Sequence, residues 1–412
     1  MKAVILAAGR GERLWPLTEH RPKHLLPAGG RAILERTVSA LADADVKDLV
    51  LVVNYKAEMI RAHFGDGNRF NSSIKYVTQK RVGGTAEAVA AARNELKGED
   101  RFLVMYGDDY YARSAVERFV RSAAREETMI AAASVDDPSR FGTLEMKDGL
   151  ITDIKEKVSN KGSGRVNAGM YNLPANVISA VQKTKQSTRG EYELTDTARI
   201  LIQRGEHVMA FPLEAGEWAG VSYPWDLLEA NRLALETEEP VSNGTIEDNV
   251  RMEGKVVLSR GARVKSGSYI EGPVFIGEGA VVGPNAYLRS GTSLGKNVKV
   301  GAACEVKNSV LMDDAKVPHL SYVGDSIIGH ETRLGAGTIT ANLRFDEAII
   351  ESSVKRKALS TGRKKFGAVI GDGVRTGINV SIFPGVKIGG GSWIGPGAVV
   401  KVDVPSKSRI RD

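Results

Sequence analysis

Two spacings of apolar residues divide the chain. Up to about residue 235, short apolar runs alternate with amphipathic stretches: VIL, then ILERTVSALADA, LVLVV, a helical stretch near Lys56 to His63, IKYVTQ, AEAVAAARNEL and FLVMYGDD. This alternation predicts an α/β domain: a mostly parallel, Rossmann-like sheet with helices on both faces that binds ligands at the carboxyl ends of its strands.

After LLEANRLALETE and a break at Pro240 and Gly244, the texture becomes glycine-rich and short in period. Aliphatic residues recur every six positions at Ile276, Val282, Leu288, Leu294, Val300 and Val306, and again at Ile370, Ile382, Ile388, Ile394 and Val400. Neither a helix nor a simple strand has that period. It predicts a parallel β-helix in which each side of a coil turns one aliphatic residue inward. The expected organisation is a first domain over residues 1–235, a linker over 236–250 and a β-helix over 251–412.

The 412 residues are ample for two cores, and the net charge of +7 raises the question of nucleic acid. No aromatic-interleaved basic patch or zinc-finger spacing accompanies that charge, so it reads as provision for phosphorylated small molecules. Cys304 is the only cysteine, which excludes an internal disulfide and suggests a reducing compartment. No apolar run approaches the ~18 residues of a membrane span, and the start MKAVILAAGRG lacks a signal-peptide layout. The expectation is a cytoplasmic protein with neither nucleic acid nor membrane as partner.

The candidate chemistry begins in LAAGRGERLWPLTEHRPK, residues 6–23. Gly9 and Gly11 follow a buried strand, so backbone N–H groups can close on a polyphosphate, and Arg13 and Lys23 add fixed positive charge. With Pro16 and Pro22, these residues form the spacing GxGxRxxPxxxxxPK. It resembles the signature of the sugar-1-phosphate nucleotidylyltransferases. That resemblance implies catalytic roles for Arg13 and Lys23, and nucleotide contacts from Leu6, Ala8, Gly9, Gly11, Gln79, Gly84, Thr85 and Asp108. QKRVGGTA, residues 79–86, is similar to the base-reading segment of uridylyl-transferring members; a plain loop capped by Thr85 is the alternative. Asp108, after the run VMYG, stands where the family has a Mg²⁺ ligand, and Asp109 is expected to point to the opposite face if the strand continues. The resemblance further assigns Tyr106, Gly142, Glu156, Lys157 and Asn167 to the sugar phosphate, with the segment GEYELTD nearby.

One departure concerns the metal. Where family members carry WxDxGxPxD, this chain reads WAGVSYPWD, so Gly220 takes the place of the second acidic ligand. Asp226, Glu217 or water is the candidate replacement, with a helix-starting role the alternative for Asp226, or else metal binding and turnover are weakened. The chemistry implied is in-line attack by a sugar 1-phosphate on the α-phosphorus of a nucleoside triphosphate, served by positioning and charge neutralisation.

A second signature interrupts the hexads. PHLSYVGDSIIGHETRLGAGTITANLRFD, residues 318–346, resembles the acetyltransferase centre of GlmU-type bifunctional enzymes, and the whole chain is most similar to their archaeal-type members. The resemblance implies a left-handed β-helix, a homotrimer, and acetyl-CoA as co-substrate. His319 would be the general base, and Tyr322, Arg333, Ala336 and Asn342 would hold acceptor or thioester. His20, His24, His63, His207 and His330 lack such a setting and are expected at the surface. The basic stretch VKRKALSTGRKKFG is either a solvated loop or a segment offering Lys364 and Lys365 to coenzyme A. Two other readings stand beside this one: a nucleotidylyltransferase with a purely structural β-helix, and a weakened regulatory homologue.

Overall fold

Strand β1 (Lys2–Ala7) buries every residue from Ala3 onward, as an apolar run does when both faces of its sheet are covered. It lies inside a nine-stranded sheet in the computed structural model, which describes all residues except 82, 126, 157–161, 188, 189 and 412. The other strands are β2 (Asp48–Val53), β3 (Ser73–Thr78), β4 (Arg101–Tyr106), β5 (Thr128–Val135), β6 (Gly142–Lys147), β7 (Leu150–Glu156), β8 (Gly164–Pro174) and β9 (Val208–Pro212). Their order is β3-β2-β1-β4-β8-β5-β9-β7-β6.

The expected parallel pairing holds for β3, β2, β1 and β4, while β8 runs antiparallel to β4 and β5, and β7 antiparallel to β9 and β6. The reason for the β6–β7 pair is local. Asp148 and Gly149 both adopt positive φ in the turn between them, and a connection that tight folds a chain back on itself. Helices α1 (Ile33–Asp43), α2 (Ala57–Phe64), α3 (Thr85–Ala91), α4 (Arg113–Ala123), α5 (Val177–Val181) and α6 (Leu194–Gln203) accompany the sheet. Val89, Val177 and Leu201 from α3, α5 and α6 share one core with Val4, Val52 and Val104. Leu6 pairs with Tyr106, so the carboxyl ends of β1 and β4 lie side by side.

The chain divides into two units, Met1–Arg10 with Ile33–Gly220, and Gly11–Ala32 with Val221–Asp412. The second unit contains α7 (Pro224–Thr237) and a run of short parallel strands that pair with the strand one coil later. Leu258, Ile276, Leu294, Leu311, Ile328, Ile370 and Ile388 form one inward column. Ile270, Leu288, Val306, Val323, Thr340, Ile382 and Val400 form another. All eleven hexad positions named from the sequence are buried in a single apolar core. Residues 343–365 leave the coil as an insertion containing an antiparallel hairpin, Glu351–Val354 with Lys357–Ser360.

Two polar side chains are sealed against this unit. Asn231 of α7 accepts from Gly29 N (2.8 Å) and Ser293 Oγ (2.6 Å) through Oδ1, and donates to Gly291 O (2.8 Å). Lys387, 1% exposed, donates to Ser353 O at 2.5 Å. Burial pushes its pKa down to about 8, partly opposed by the charge of Asp403.

Leu288→Ala should cost about 2–5 kcal/mol in denaturant unfolding, because a closed column cannot collapse around the cavity, whereas Val399→Ala, half exposed on the outer surface, should change it by less than about 0.5 kcal/mol. For Lys387 the folded-state pKa lies below the ordinary value of 10.5, so between pH 8 and 10.5 the unfolded chain binds more protons and stability from this group rises with pH. The Tm of the parent minus that of Lys387→Met should therefore increase from pH 8 to pH 10 in paired thermal scans.

Candidate active sites

In the first unit, β4 ends at Tyr106 and the chain turns at Gly107 and Asp108. Gly107 donates to Leu6 O (3.0 Å), and a Cβ there would lie 2.9 Å from that oxygen. The strand therefore does not continue past Asp108. Asp109 begins a short segment (Asp109–Tyr111) paired antiparallel with Trp218–Gly220, and its buried carboxylate accepts from Trp218 Nε1 at 3.1 Å. Asp108 is half-buried on the turn. One carboxylate fits Mg²⁺ when phosphate and water complete its shell. Among the described residues no three acidic, His or Cys side chains gather into a metal cage. Gly220 has a packing reason, because a Cβ there would lie 2.9 Å from the Phe141 ring and 3.0 Å from Trp218.

A polar cluster adjoins the turn. Asn167 donates to Tyr171 Oη (2.6 Å) and accepts from Gly169 N (3.0 Å), while Tyr106 Oη lies 3.1 Å from Tyr171 Oη. The register of β8 against β5 breaks between Asn167 and Tyr171, a bulge that turns these groups out of the ladder. Gly169 is required there. Its φ is +75°, and a Cβ would lie 2.6 Å from the Tyr106 ring. Glu156 pairs opposite Gly142 and accepts from Thr195 Oγ1 at 2.6 Å. Burial raises the Tyr106 pKa far above the ordinary phenol range, and the charges of Glu156 and Glu193 add to that. Lys157 lies outside the described residues.

Gln79 is buried at the end of β3, and its Nε2 donates to Gly84 O at 3.2 Å. Gly84 has φ +119°, with the Tyr192 backbone 2.4 Å from where a Cβ would be. Gly84, not Thr85, is the N-cap of α3; Thr85 Oγ1 instead accepts from Leu194 N at 2.8 Å.

In the second unit, Gly11 takes φ +68° and brings the start of the loop against Lys23 Cβ, 3.0 Å from its own Cβ position. Thr18 Oγ1 closes the loop on Gly11 O at 2.9 Å. Arg13 lies 5.3 Å over the Tyr223 ring and donates to Ser222 Oγ at 3.4 Å. Asp226 Oδ2 accepts from Ser222 N (3.0 Å) and Tyr223 N (2.8 Å), so this carboxylate is engaged in starting α7.

The β-helix site forms where an aliphatic column yields to polar residues. Thr340, buried in the column, accepts from Gly324 N and Ser326 Oγ, each at 3.0 Å. Asn342 donates to Tyr322 Oη (3.1 Å) and Asp325 Oδ2 (2.5 Å). Burial raises the Tyr322 pKa and the charge of Asp325 adds to it. His319 ends the strand Lys316–His319 with its imidazole exposed, and its carbonyl accepts from Gly337 N at 3.2 Å, next to Ala336. Arg333 stands exposed in a column between Lys316 and Arg375. Lys364 and Lys365 are exposed at the end of the insertion.

Sequence reasoning did not single out the charged and amide neighbours of this cluster. Buried Asp325 accepts from Asn308 Nδ2 (2.7 Å) and meets Lys307 Nζ (3.4 Å), while Arg289 reaches Glu305 (3.0 Å), the residue registered with Tyr322. Lys307 and Asn308 stand one coil, 18 and 17 positions, before Asp325, and that spacing was the available signal. His24, expected at the surface, is buried among the apolar neighbours of its loop, flanked by buried Pro22 and Leu26.

Residues 2–237 match the nucleotidyl transferase family model, and residues 270–376 match the GMPPB C-terminal domain. A protein of Methanocaldococcus jannaschii named bifunctional protein GlmU is 42% identical over 411 residues, covering 100% of this chain and 97% of that protein. A bifunctional sugar-1-phosphate nucleotidylyltransferase/acetyltransferase of Sulfurisphaera tokodaii is 40% identical, covering 98% of each. A crystal structure from Bacillus anthracis, described as a glucose-1-phosphate thymidylyltransferase in complex with a sucrose, is 30% identical with a TM-score of 0.53. It covers 57% of this chain and 95% of that one.

Gly169→Ala should destabilise the first unit by about 1–3 kcal/mol, since it adds both positive-φ strain and a clash with the Tyr106 ring. Denaturant unfolding followed by tyrosine fluorescence checks this.

Proposed function

Because the chain belongs to the GlmU family of bifunctional sugar-1-phosphate nucleotidylyltransferase/acetyltransferases, we propose that its two sites act in sequence. The chain is a transferase of both kinds, making nucleotide sugars of the UDP-N-acetylglucosamine type. In this reading residues 251–412 acetylate an amino sugar 1-phosphate, residues 1–235 couple the product to UTP or dTTP, and residues 236–250 join the two.

The observation that carries the acetyl-transfer half is the buried carboxylate of Asp325. Burying that carboxylate costs several kcal/mol before its partners repay it, and what the pairing secures is a fixed orientation for the side chains around it. Here the charge fixes Asn342, and Asn342 orients the Tyr322 hydroxyl toward the acceptor. The sugar amine attacks the thioester carbonyl, His319 takes the amine proton, and the carbon–sulfur bond breaks to release coenzyme A. Backbone around Ala336 faces the thioester. Arg333, in line with Lys316 and Arg375, and the Lys364–Lys365 pair supply cations for phosphate.

For nucleotidyl transfer, Leu6, Ala8, Gly9 and Gly11 supply the backbone that grips the triphosphate. Gln79, Gly84 and Thr85 read the base, and Arg13 and Lys23 neutralise phosphate charge. Tyr106, Gly142, Glu156, Lys157 and Asn167 hold the sugar phosphate. A sugar-phosphate oxygen attacks the α-phosphorus, and the bond to the β-phosphate breaks to release pyrophosphate. Mg²⁺ held by Asp108 would neutralise charge on the phosphates; Asp226 is bound up in its helix cap. We also assign a left-handed winding and a homotrimer to the β-helix. Ile378, Phe383, Trp393, Val399 and Val402, all exposed apolar side chains on its later coils, support association.

Incubation with Mg²⁺, UTP, acetyl-CoA and glucosamine 1-phosphate should yield UDP-N-acetylglucosamine by mass spectrometry. His319→Ala should lower acetyl transfer by about 10²–10⁴-fold yet still form product from N-acetylglucosamine 1-phosphate. Unacetylated UDP-sugar alone from the parent would instead favour the structural reading of the β-helix.

A further inference from the structure

We infer that Glu19 and Arg21 are positioning residues for nucleotidyl transfer, which clamp the loop carrying Arg13 and Lys23 onto the last coils of the β-helix. The inference rests on the assignment of those two cations to the triphosphate made above.

Glu19 bridges two distant parts of the second unit. Its Oε1 accepts from Trp15 Nε1 (2.8 Å) and from Ser406 Oγ, and its Oε2 accepts from Gly390 N at 3.0 Å. Arg21 donates through Nη2 to Asp372 Oδ2 at 2.7 Å, in a pair whose side chains are 18% and 13% exposed. Asp372 is itself fixed, its Oδ1 accepting from His330 N at 2.9 Å. Low exposure and doubly bonded carboxylates distinguish these contacts from the Lys355–Glu12 pair nearby, which is mostly exposed and subject to screening.

The coils are cut to fit the loop. Gly390 stands in the run GGG at residues 389–391, and a Cβ on it would lie 2.9 Å from Glu19 Oε2. A Cβ on Gly371 would lie 3.1 Å from Pro16 Cβ. At Gly390 the coil is spared a side chain where the loop presses on it, and at Gly371 both the loop and the next coil, with Gly390 N 2.7 Å from the same Cβ position, leave no room for one.

The spacing carries the argument from anchoring to catalysis. Glu19 grips the loop at Trp15, two residues from Arg13, and Arg21 is two residues from Lys23. Each cation thus lies within a few ångströms of backbone from a fixed point. Because displacement of a charged group by about 1 Å can cost about 10²-fold in rate, loss of either anchor should act on kcat. The β-helix coils at Asp372, Gly390 and Ser406 then serve nucleotidyl transfer without touching its substrates.

The test measures pyrophosphate release from UTP and N-acetylglucosamine 1-phosphate, coenzyme A release from acetyl-CoA and glucosamine 1-phosphate, and Tm, all on the full chain. Glu19→Ala and Arg21→Ala should each lower the kcat of pyrophosphate release about 10–100-fold, with a smaller change in KM. Coenzyme A release should stay near its parental value, while Tm should fall by a few degrees in Arg21→Ala, which leaves the Asp372 carboxylate without its cation. Arg21→Lys, which keeps one donor toward Asp372, should recover part of the loss. The double variant Arg21→Ala with Asp372→Ala should be no slower than Arg21→Ala alone, as expected for one shared contact. Parental kcat in the single variants overturns the inference, as does a parallel fall of both activities with Tm. If Glu19→Ala does not fold, Ser406→Ala reads the same contact from the coil side, with a smaller loss expected. A parent that releases no pyrophosphate removes the assignment of the loop itself, and the inference with it.

Discussion

Every outward feature of the β-helix depends on one interaction, the backbone hydrogen bond from each strand to the strand one coil away. Lys299 N donates to Ala315 O, Lys316 N to Thr332 O and Arg333 N to Val374 O, at 2.8–3.0 Å. Parallel, in-register pairing at about 4.8 Å repeats each position on the next coil. Inside, this stacks aliphatic on aliphatic. Outside, it stacks Tyr269 on Tyr287 with ring centroids 5.2 Å apart, and sets Glu305 beside Tyr322. An active site on such a surface is assembled by register alone: residues far apart in sequence become neighbours as soon as they share a column.

Within that regular frame, a few polar groups are taken out of water at a cost that only full pairing offsets. Asp325 meets amide hydrogens from Asn308 and Asn342 and the ammonium of Lys307. Asn231 satisfies its amide with Gly29, Gly291 and Ser293. Each acts as a peg, fixing a segment that the hexad pattern leaves free: the insertion in the first case, the turn before α1 in the second. Glycine makes the complementary contribution, since Gly169, Gly220 and Gly390 all leave room where an aromatic ring or a carboxylate sits.

Much of this was legible in the chain. The eleven positions picked out by the six-residue period all face inward, because the coil geometry imposes the period on the sequence itself. Gly11 was legible because close backbone approach leaves a local trace, while the polar run from His319 to Asn342 was picked out by its resemblance to a family motif. What was not legible is long-range. The Asn231 bonds join residues 62 and 202 positions apart, and Glu19 meets its partners 371 and 387 positions away. No local period encodes such pairs. The antiparallel half of the sheet escaped because apolar runs do not carry strand direction, and the burial of His24 because a lone polar residue in a loop carries no period at all.

The insertion after Asn342 closes on itself. Leu343 bridges Lys365 in antiparallel fashion, and Phe366 N donates to Asn342 O at 3.0 Å, so the chain leaves and re-enters the coil at a single doorway. Whatever lies between those ends adds nothing to the phase of the later coils, which resume at Val369 opposite Ile327 as though uninterrupted. The segment is thus a detour from the coil that is tied back down to it, Ser352 Oγ donating to Gly385 O at 2.7 Å and Ser353 O accepting from Lys387. Length can be added or removed between those ends without shifting the frame of the coils that follow.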